Sequence, residues 1–252
     1  MKTAKTLFTA LLMSASVAGF CQTELKGEGV SDGNYQAPKA SKIVIDGNGN
    51  EKDWQKAQWK EVKYTWLGDD VKKEDFQGRY KLLWDADHLY FLVEVYDDSL
   101  SDQEKDPFVN WWEDDCLELF IDEDRSKGGH QFSYNAFAYH ITLDYDAIDL
   151  GPDKQPKNFK DHLQVKRTKK GNVYTWEVAM KVFNDKFTGS GKDVPVKLNE
   201  GKVMGFAVSY NDNDGDNRRE NFIGSILIPG EGDDRNRGWI DAGVFGEVKL
   251  VK

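Results

Sequence analysis

The chain has 252 residues, with 34 Lys and Arg against 44 Asp and Glu, a net charge of −10 and 13% aromatic residues. That acidic balance argues against nucleic acid as a partner, because phosphate binding runs on Lys and Arg. Two cysteines and four scattered histidines (His88, His130, His140 and His162) supply neither a disulfide framework nor a zinc-ligand spacing.

Residues 1–21 carry Lys2 and Lys5 ahead of an apolar run from Leu7 to Phe20, the pattern of a secretory signal peptide. A lipid anchor on Cys21 would need a small residue before it, and Phe20 is large, so simple export to the periplasm, cell surface or medium is the expectation. No later stretch is long and apolar enough to span a membrane. Residues 22–41 are polar and without hydrophobic period, a flexible leader. One folded domain is expected over 42–252.

Within that domain the β-branched run 42–47 predicts a first strand, and 53–59 a short helical turn. Segments 80–84 and 88–95 flank Asp85-Ala86-Asp87 and predict a hairpin. Cys116–Asp122 alternates cleanly: Leu117, Leu119 and Ile121 share one face, and Glu118 lies on the other. Further strands are predicted over 132–135, 137–143, 163–167, 172–182, 203–210 and 247–251. No helix-period segment exceeds about two turns. Many short strands joined by Gly, Asp and Asn predict an all-β antiparallel sandwich or barrel. Three polar segments (97–110, 144–162 and 211–237) read as long loops, and loops of that length in a compact domain are usually functional or disordered.

Trp84 and Trp176 sit inside strand patterns and belong in a core; Trp54 and Trp59 would cap a sheet. Trp111, Trp112 and Trp239 are different, since polar loop surrounds them. A large ring left in water forfeits about 1.5–3 kcal/mol of burial, so these rings either fold back on the sandwich edge or meet a ligand. A ring beside Glu118, on a rigid strand, suits a ligand with apolar faces and many hydroxyls, such as a sugar. Asn211, Asp212, Asp214 and Asp216 form a plausible calcium loop without the spacing of an EF-hand; the plain alternative is a solvated turn. Glu94, Glu118 and Glu177 could supply a glycosidase pair, but that chemistry depends on a separation that sequence does not give.

Ile45-Asp46-Gly47 with Trp54 and Ala57, Leu83-Trp84-Asp85 with Leu89-Tyr90, and the block from Trp112 to Asp122 together resemble carbohydrate-binding module family 9. Gly205-Phe206 through Asn211-Asp212 and the ending from Phe245 to Leu250 are similar too. The resemblance implies a DOMON-like β-sandwich with structural calcium and a site where two tryptophans clamp a sugar. Trp112 resembles the first clamp residue and Glu118 the carboxylate six positions on. Ser133 and Asn135 resemble the strand that carries an Arg and an Asn two apart, with serine in place of the arginine. Asn236 and Trp239 resemble the hydrogen-bonding Asn and second clamp, and Ser209 stands where a glutamine reader is expected. The function so implied is that of an exported, non-catalytic binder of a plant-polysaccharide sugar, an accessory to carbohydrate catabolism and a possible partner of secreted glycoside hydrolases. The rival readings are a haem-binding electron-transfer sandwich, using Met180 or Met204 with His140 or His88, and a hydrolase-associated or degenerate domain.

Overall fold

The structure is a computed structural model and describes residues 33–252. The expected signal peptide with Cys21, and leader positions 22–32, lie outside the described residues. Fourteen strands follow in order among those described: β1 (Asn34–Ala37), β2 (Lys60–Val62), β3 (Tyr64–Leu67), β4 (Phe76–Trp84), β5 (Leu89–Asp97), β6 (Cys116–Asp122), β7 (Phe137–Ile141), β8 (Ala147–Leu150), β9 (Pro156–Asn158), β10 (Leu163–Lys170), β11 (Val173–Met180), β12 (Val203–Asp212), β13 (Asn221–Gly224) and β14 (Gly246–Leu250). The larger sheet runs β1-β14-β12-β6-β7-β8-β9, with β13 attached to β12 and β3 to β13; the smaller runs β10-β11-β5-β4-β2. Pairing is antiparallel except between β1 and β14. The expected all-β sandwich is therefore the fold.

Period two explains the core. Leu117, Leu119 and Ile121 of β6 face the smaller sheet, where Phe91, Val93, Trp176 and Val178 meet them. Glu118 and Phe120 face outward, yet every residue of β6 is buried. A second apolar layer lies over that outward face: Trp66, Phe222, Ile226, Ile228 and Phe245 pack on Phe120 and Ala138. The layer covers Phe120 but stops short of Glu118, and a cavity opens there.

Gly224 makes the second layer possible. A Cβ at this position would lie 2.0 Å from the Trp66 ring, whose indole N–H donates to the Ile226 carbonyl at 2.9 Å. Gly224→Ala is expected to cost about 1–3 kcal/mol by overpacking, read as a melting temperature lowered by about 3–10 °C; an unchanged melt would contradict this packing.

Several local expectations are corrected. Segment 42–47 is not a strand: it forms no ladder and ends in a bend held by Glu177, whose Oε2 accepts from the Asp46 and Gly47 N–H groups at 3.1 and 2.9 Å and whose Oε1 accepts from the Trp54 indole at 3.0 Å. Residues 132–135 form turns, with no ladder partner. In the expected leader, residues 34–37 pair with the last strand. The polar segments 144–162 and 211–237 contain β8 and β9, and β13, respectively. Trp84 and Trp176 are buried as expected, and no helix among the described residues is long and apolar enough to cross a membrane.

Candidate functional site

The cavity holds about 400 Å³. Its floor is the outer face of the larger sheet, where the antiparallel register sets Glu118 of β6 opposite His140 of β7 and Ser209 of β12. Ala138 and His140 contribute to the floor because they alternate with the core residues Phe137, Tyr139 and Ile141. Trp111 and Trp112 form one wall, Asp149 and Leu150 of β8 another, and Arg219 and Phe222 a third; Gln131, Asn236 and Trp239 close the rest.

Each wall is fixed by identifiable contacts. The Trp111 and Trp112 rings meet edge to face at 4.7 Å, and Trp111 also lies edge-on to His140 at 6.3 Å. The Trp112 indole N–H donates to Glu113 Oε1 at 2.9 Å. Asn236 and Trp239 belong to one 3₁₀ stretch, Gly232–Trp239. With three residues per turn, side chains three apart eclipse and share a face, so the Asn-x-x-Trp spacing brings both into the cavity. That stretch is tied to the Gln131 wall by His130, whose Nε2 lies 2.9 Å from the Gly238 carbonyl. Trp239 remains 38% exposed, an unusual position for so large a ring.

The polar atoms around this cavity are short of partners. Both Glu118 carboxylate oxygens, Trp111 Nε1, Ser209 Oγ and Asn236 Oδ1 are buried without a well-formed hydrogen bond. Buried polar groups in native folds are nearly always satisfied, so a cluster of exceptions around one cavity marks where hydroxyls or water complete the network. Glu118 Oε1 has His140 Nε2 at 3.2 Å. Burial pushes the Glu118 carboxyl well above the ordinary range, with Arg219 opposing the shift. Burial, reinforced by Arg219, holds the His140 imidazole down to about 3, so it is neutral at physiological pH. Asp149 is pushed up to about 7 by burial, even though the Ala138 and Leu150 N–H groups donate to its carboxyl at 2.8 and 2.7 Å.

The structure brings together Trp112, Glu118, Asn236 and Trp239 of the residues singled out in sequence. It places Ser133 and Asn135 elsewhere: Asn135 donates to the Lys127 carbonyl at 2.8 Å and accepts from Ser126 Oγ at 3.1 Å, and its own N–H points to Ser133 Oγ. Ser209 sits in the sheet between Glu118 of β6 and Gly224 of β13 and is not among the residues that line the cavity. Trp111, singled out in sequence only as a ring in polar loop, and His140, singled out only as a haem-ligand candidate, also line the cavity, together with Gln131, Asp149, Arg219 and Phe222, which were not singled out. Of these, His140 was accessible from alternation within 137–143; Arg219 carried no signal, since it sits in a polar loop beside Arg218.

The calcium set divides in the same way. β12 continues through Asp212, so Asn211 and Asp212 point to opposite faces. Asn211 turns to the cavity side, donating to Cys116 Sγ at 3.0 Å and accepting from Arg219 at 2.5 Å. Asp212 turns inward to Asp97 and Asp115, with carboxylate oxygens within 4.8 Å of one another and all three side chains buried. Asp214 lies near Asp97 and Asp98, and near Asp75 and Glu220, whereas Asp216 joins no such group. Asp115 Oδ1 and Asp212 Oδ2 are buried without partners. Three close carboxylates, two of them with an oxygen that lacks a partner, fit a hard divalent cation.

The rival arrangements are dispersed by the fold. Met180 and Met204 lie in the inter-sheet core, while His140 is on the outer face of the larger sheet and His88 is half-exposed after Asp85. Glu94 is paired with Arg79, and Glu177 is engaged by Trp54 and Gly47; both residues belong to the smaller sheet, so the sandwich separates them from Glu118.

Comparison with known proteins follows the same lines. Over 230 residues the chain is 28% identical to endo-1,4-beta-xylanase A of Thermotoga maritima, covering 91% of this chain and 18% of the relative. It is 29% identical over 214 residues to endo-1,4-beta-xylanase C of Paenibacillus barcinonensis, covering 83% and 16%. The chain thus spans less than a fifth of these relatives' length. A carbohydrate binding module family 9 from Caldicellulosiruptor kristjanssonii, solved in complex with cellotriose, superposes with a TM-score of 0.63 at 21% identity, covering 86% of this chain and 93% of that one. A putative carbohydrate-binding protein from Bacteroides uniformis superposes at 0.57 with 9% identity, covering 86% and 98%. The sequence model described as "Carbohydrate family 9 binding domain-like" matches residues 45–252, and by that nearly domain-wide match the chain belongs to this family.

Proposed function

We propose that this chain is an exported, non-catalytic binder of a plant-polysaccharide-type sugar, taken up in the cavity over Glu118. The observation that carries the reading is the buried Glu118 carboxyl, neither oxygen in a well-formed hydrogen bond, set beneath tryptophan walls. A pyranose ring presents apolar C–H faces and an equator of hydroxyls. Trp112 and Trp239 would stack on the faces, while Glu118 and Asn236 Oδ1 would accept from hydroxyls. The family membership and the sugar-complexed structural relatives support this assignment. Its place would be beside secreted glycoside hydrolases in polysaccharide breakdown, consistent with the xylanases that share the domain.

Calcium would be held by Asp97, Asp115 and Asp212, where it would supply the positive charge that three buried carboxylates otherwise lack. Its role there would be structural: Asp115 immediately precedes β6 and Asp212 ends β12, adjoining strands beneath the cavity.

Affinity should fall in the range of about 10⁻³ to 10⁻⁶ M, since two rings and a few exchanged water hydrogen bonds give about −4 to −8 kcal/mol. Calorimetric titration with cello-, xylo- and manno-oligosaccharides tests the reading. Saturable heat from one series is the expected result; no heat from any of the three would sink it.

A further inference from the structure

The floor of the cavity offers acceptors but few fixed donors. On β7 the position beside His140 is Ala138, which carries no polar group, and Ser133 lies outside the cavity. Among the described residues only one side chain lining the cavity bears a permanent positive charge, and it enters from the β12 side of β6. Arg219 stands just ahead of β13, on the segment that returns from β12.

Arg219 is held in three ways, two of them through its guanidinium. It lies over the Phe222 ring at 4.7 Å. One terminal nitrogen donates to Asn211 Oδ1 at 2.5 Å. Its backbone N–H donates to Glu113 Oε2 at 3.0 Å, and the other oxygen of that carboxylate holds the Trp112 indole. Glu113 therefore ties the segment carrying the guanidinium to the ring wall. Glu118 lines the same cavity, and the Arg219 charge opposes the rise that burial imposes on its carboxyl.

A guanidinium is a planar fork of five N–H donors with no acceptor, while a carboxyl group keeps acceptor oxygens in either protonation state. Set together in one cavity, they match two neighbouring hydroxyls of a sugar ring, each of which can donate to the carboxylate and accept from the fork. We propose that Arg219 is the specificity-determining donor of this cavity and, with Glu118, reads a vicinal diol of a neutral pyranose. A uronic acid is disfavoured, because its carboxylate would enter beside Glu118 and Asp149. The inference rests on the sugar-binding reading above.

The test uses wild type, Arg219→Lys and Arg219→Gln. Each is titrated with cellobiose, xylobiose and mannobiose, and then with monodeoxy derivatives of whichever disaccharide binds wild type. A hydrogen bond to a charged group accounts for about a 10- to 100-fold difference. Both variants should lose that much affinity for the parent sugar, the lysine variant because it keeps the charge but not the fork. Wild type should show a similar penalty with one or two of the deoxy sugars, and in both variants that penalty should shrink to below about twofold. A purely structural arginine would lower affinity for all derivatives alike and leave the penalty intact, which overturns the proposal. So would parent affinity within twofold of wild type, or the failure of both variants to fold, which would make Arg219 a packing residue. Silence of wild type with every disaccharide is a separate outcome, since it removes the sugar-binding reading itself.

Discussion

Trp239→Ala is expected to weaken binding of the oligosaccharide ligand by about 10- to 150-fold, while the melting temperature stays within about 2 °C of wild type. The ring is 38% exposed and belongs to a 3₁₀ stretch anchored through Gly238, not through its own side chain. Removing it forfeits little internal packing. It does take away the apolar face that a sugar would cover, and full burial of such a ring is worth about 1.5–3 kcal/mol, which converts to that fold-change. Trp112→Ala should weaken binding as much but also lower the melt, because its ring packs on Trp111 and its N–H engages Glu113. The contrast is informative. Equal binding in wild type and both variants, by calorimetry, would end the stacking model, whereas loss of binding only where the melt also falls would show that the rings act through the fold.

How much of this was legible in sequence depended on period and register. β6 was read with its bounds because Leu117, Leu119 and Ile121 alternate with Glu118 and Phe120 over a full strand. The β4–β5 hairpin and the cores around Trp84 and Trp176 followed from the same rule. Strands β2 and β3 were not, since they are three and four residues long with one residue between them. β8, β9 and β13 escaped because they lie in polar sequence, β13 being stabilised by Trp66 packing and pairing on both edges and not by its own pattern. The site divides along the same line. Asn236 was pointed to by the family resemblance and Trp239 also as a ring in polar sequence, while Trp112 and Glu118 were readable because one precedes β6 and the other lies within it. The floor beside Glu118 depended on which β7 residue sits opposite, and the register gives His140 where the family pattern had pointed to Ser133 and Asn135. Arg219 required knowing that the segment after β12 folds back over Phe222, a tertiary fact with no local trace.

Removal of calcium should destabilise the protein by about 2–4 kcal/mol at pH 7.5 and 1 mM free ion, if the dissociation constant is about 1–30 μM, a fall of about 5–15 °C in melting temperature. The sign of the pH dependence separates this from ordinary chelator effects. Burial raises Asp97 to about 6, Asp115 to about 10 and Asp212 to about 8, and the charge of Asp97 adds to the last two. Carboxyls raised in the folded state hold protons that the unfolded chain releases near pH 4. Their stabilisation is complete below that pH and is lost as pH rises through the folded values. In chelator, the melt should therefore fall between pH 4 and pH 8; with calcium, the cation replaces the protons and the fall should largely vanish. Asp115→Asn keeps the size of the side chain and an oxygen for the Ser101 N–H, which donates to Asp115 Oδ2 at 2.6 Å, and it removes one buried charge. In chelator at pH 7.5 the variant should be more stable than wild type, and in calcium less, so that the order of the two melts reverses. Identical wild-type melts in calcium and chelator, or a variant weaker in both, would show that these carboxylates hold no cation. Reversal would bear on the cavity as well: Asp115 stands three residues after Trp112 and three before Glu118, so a cation there would fix the shared base of the ring wall and the hydroxyl acceptor from the inner side of the same strand.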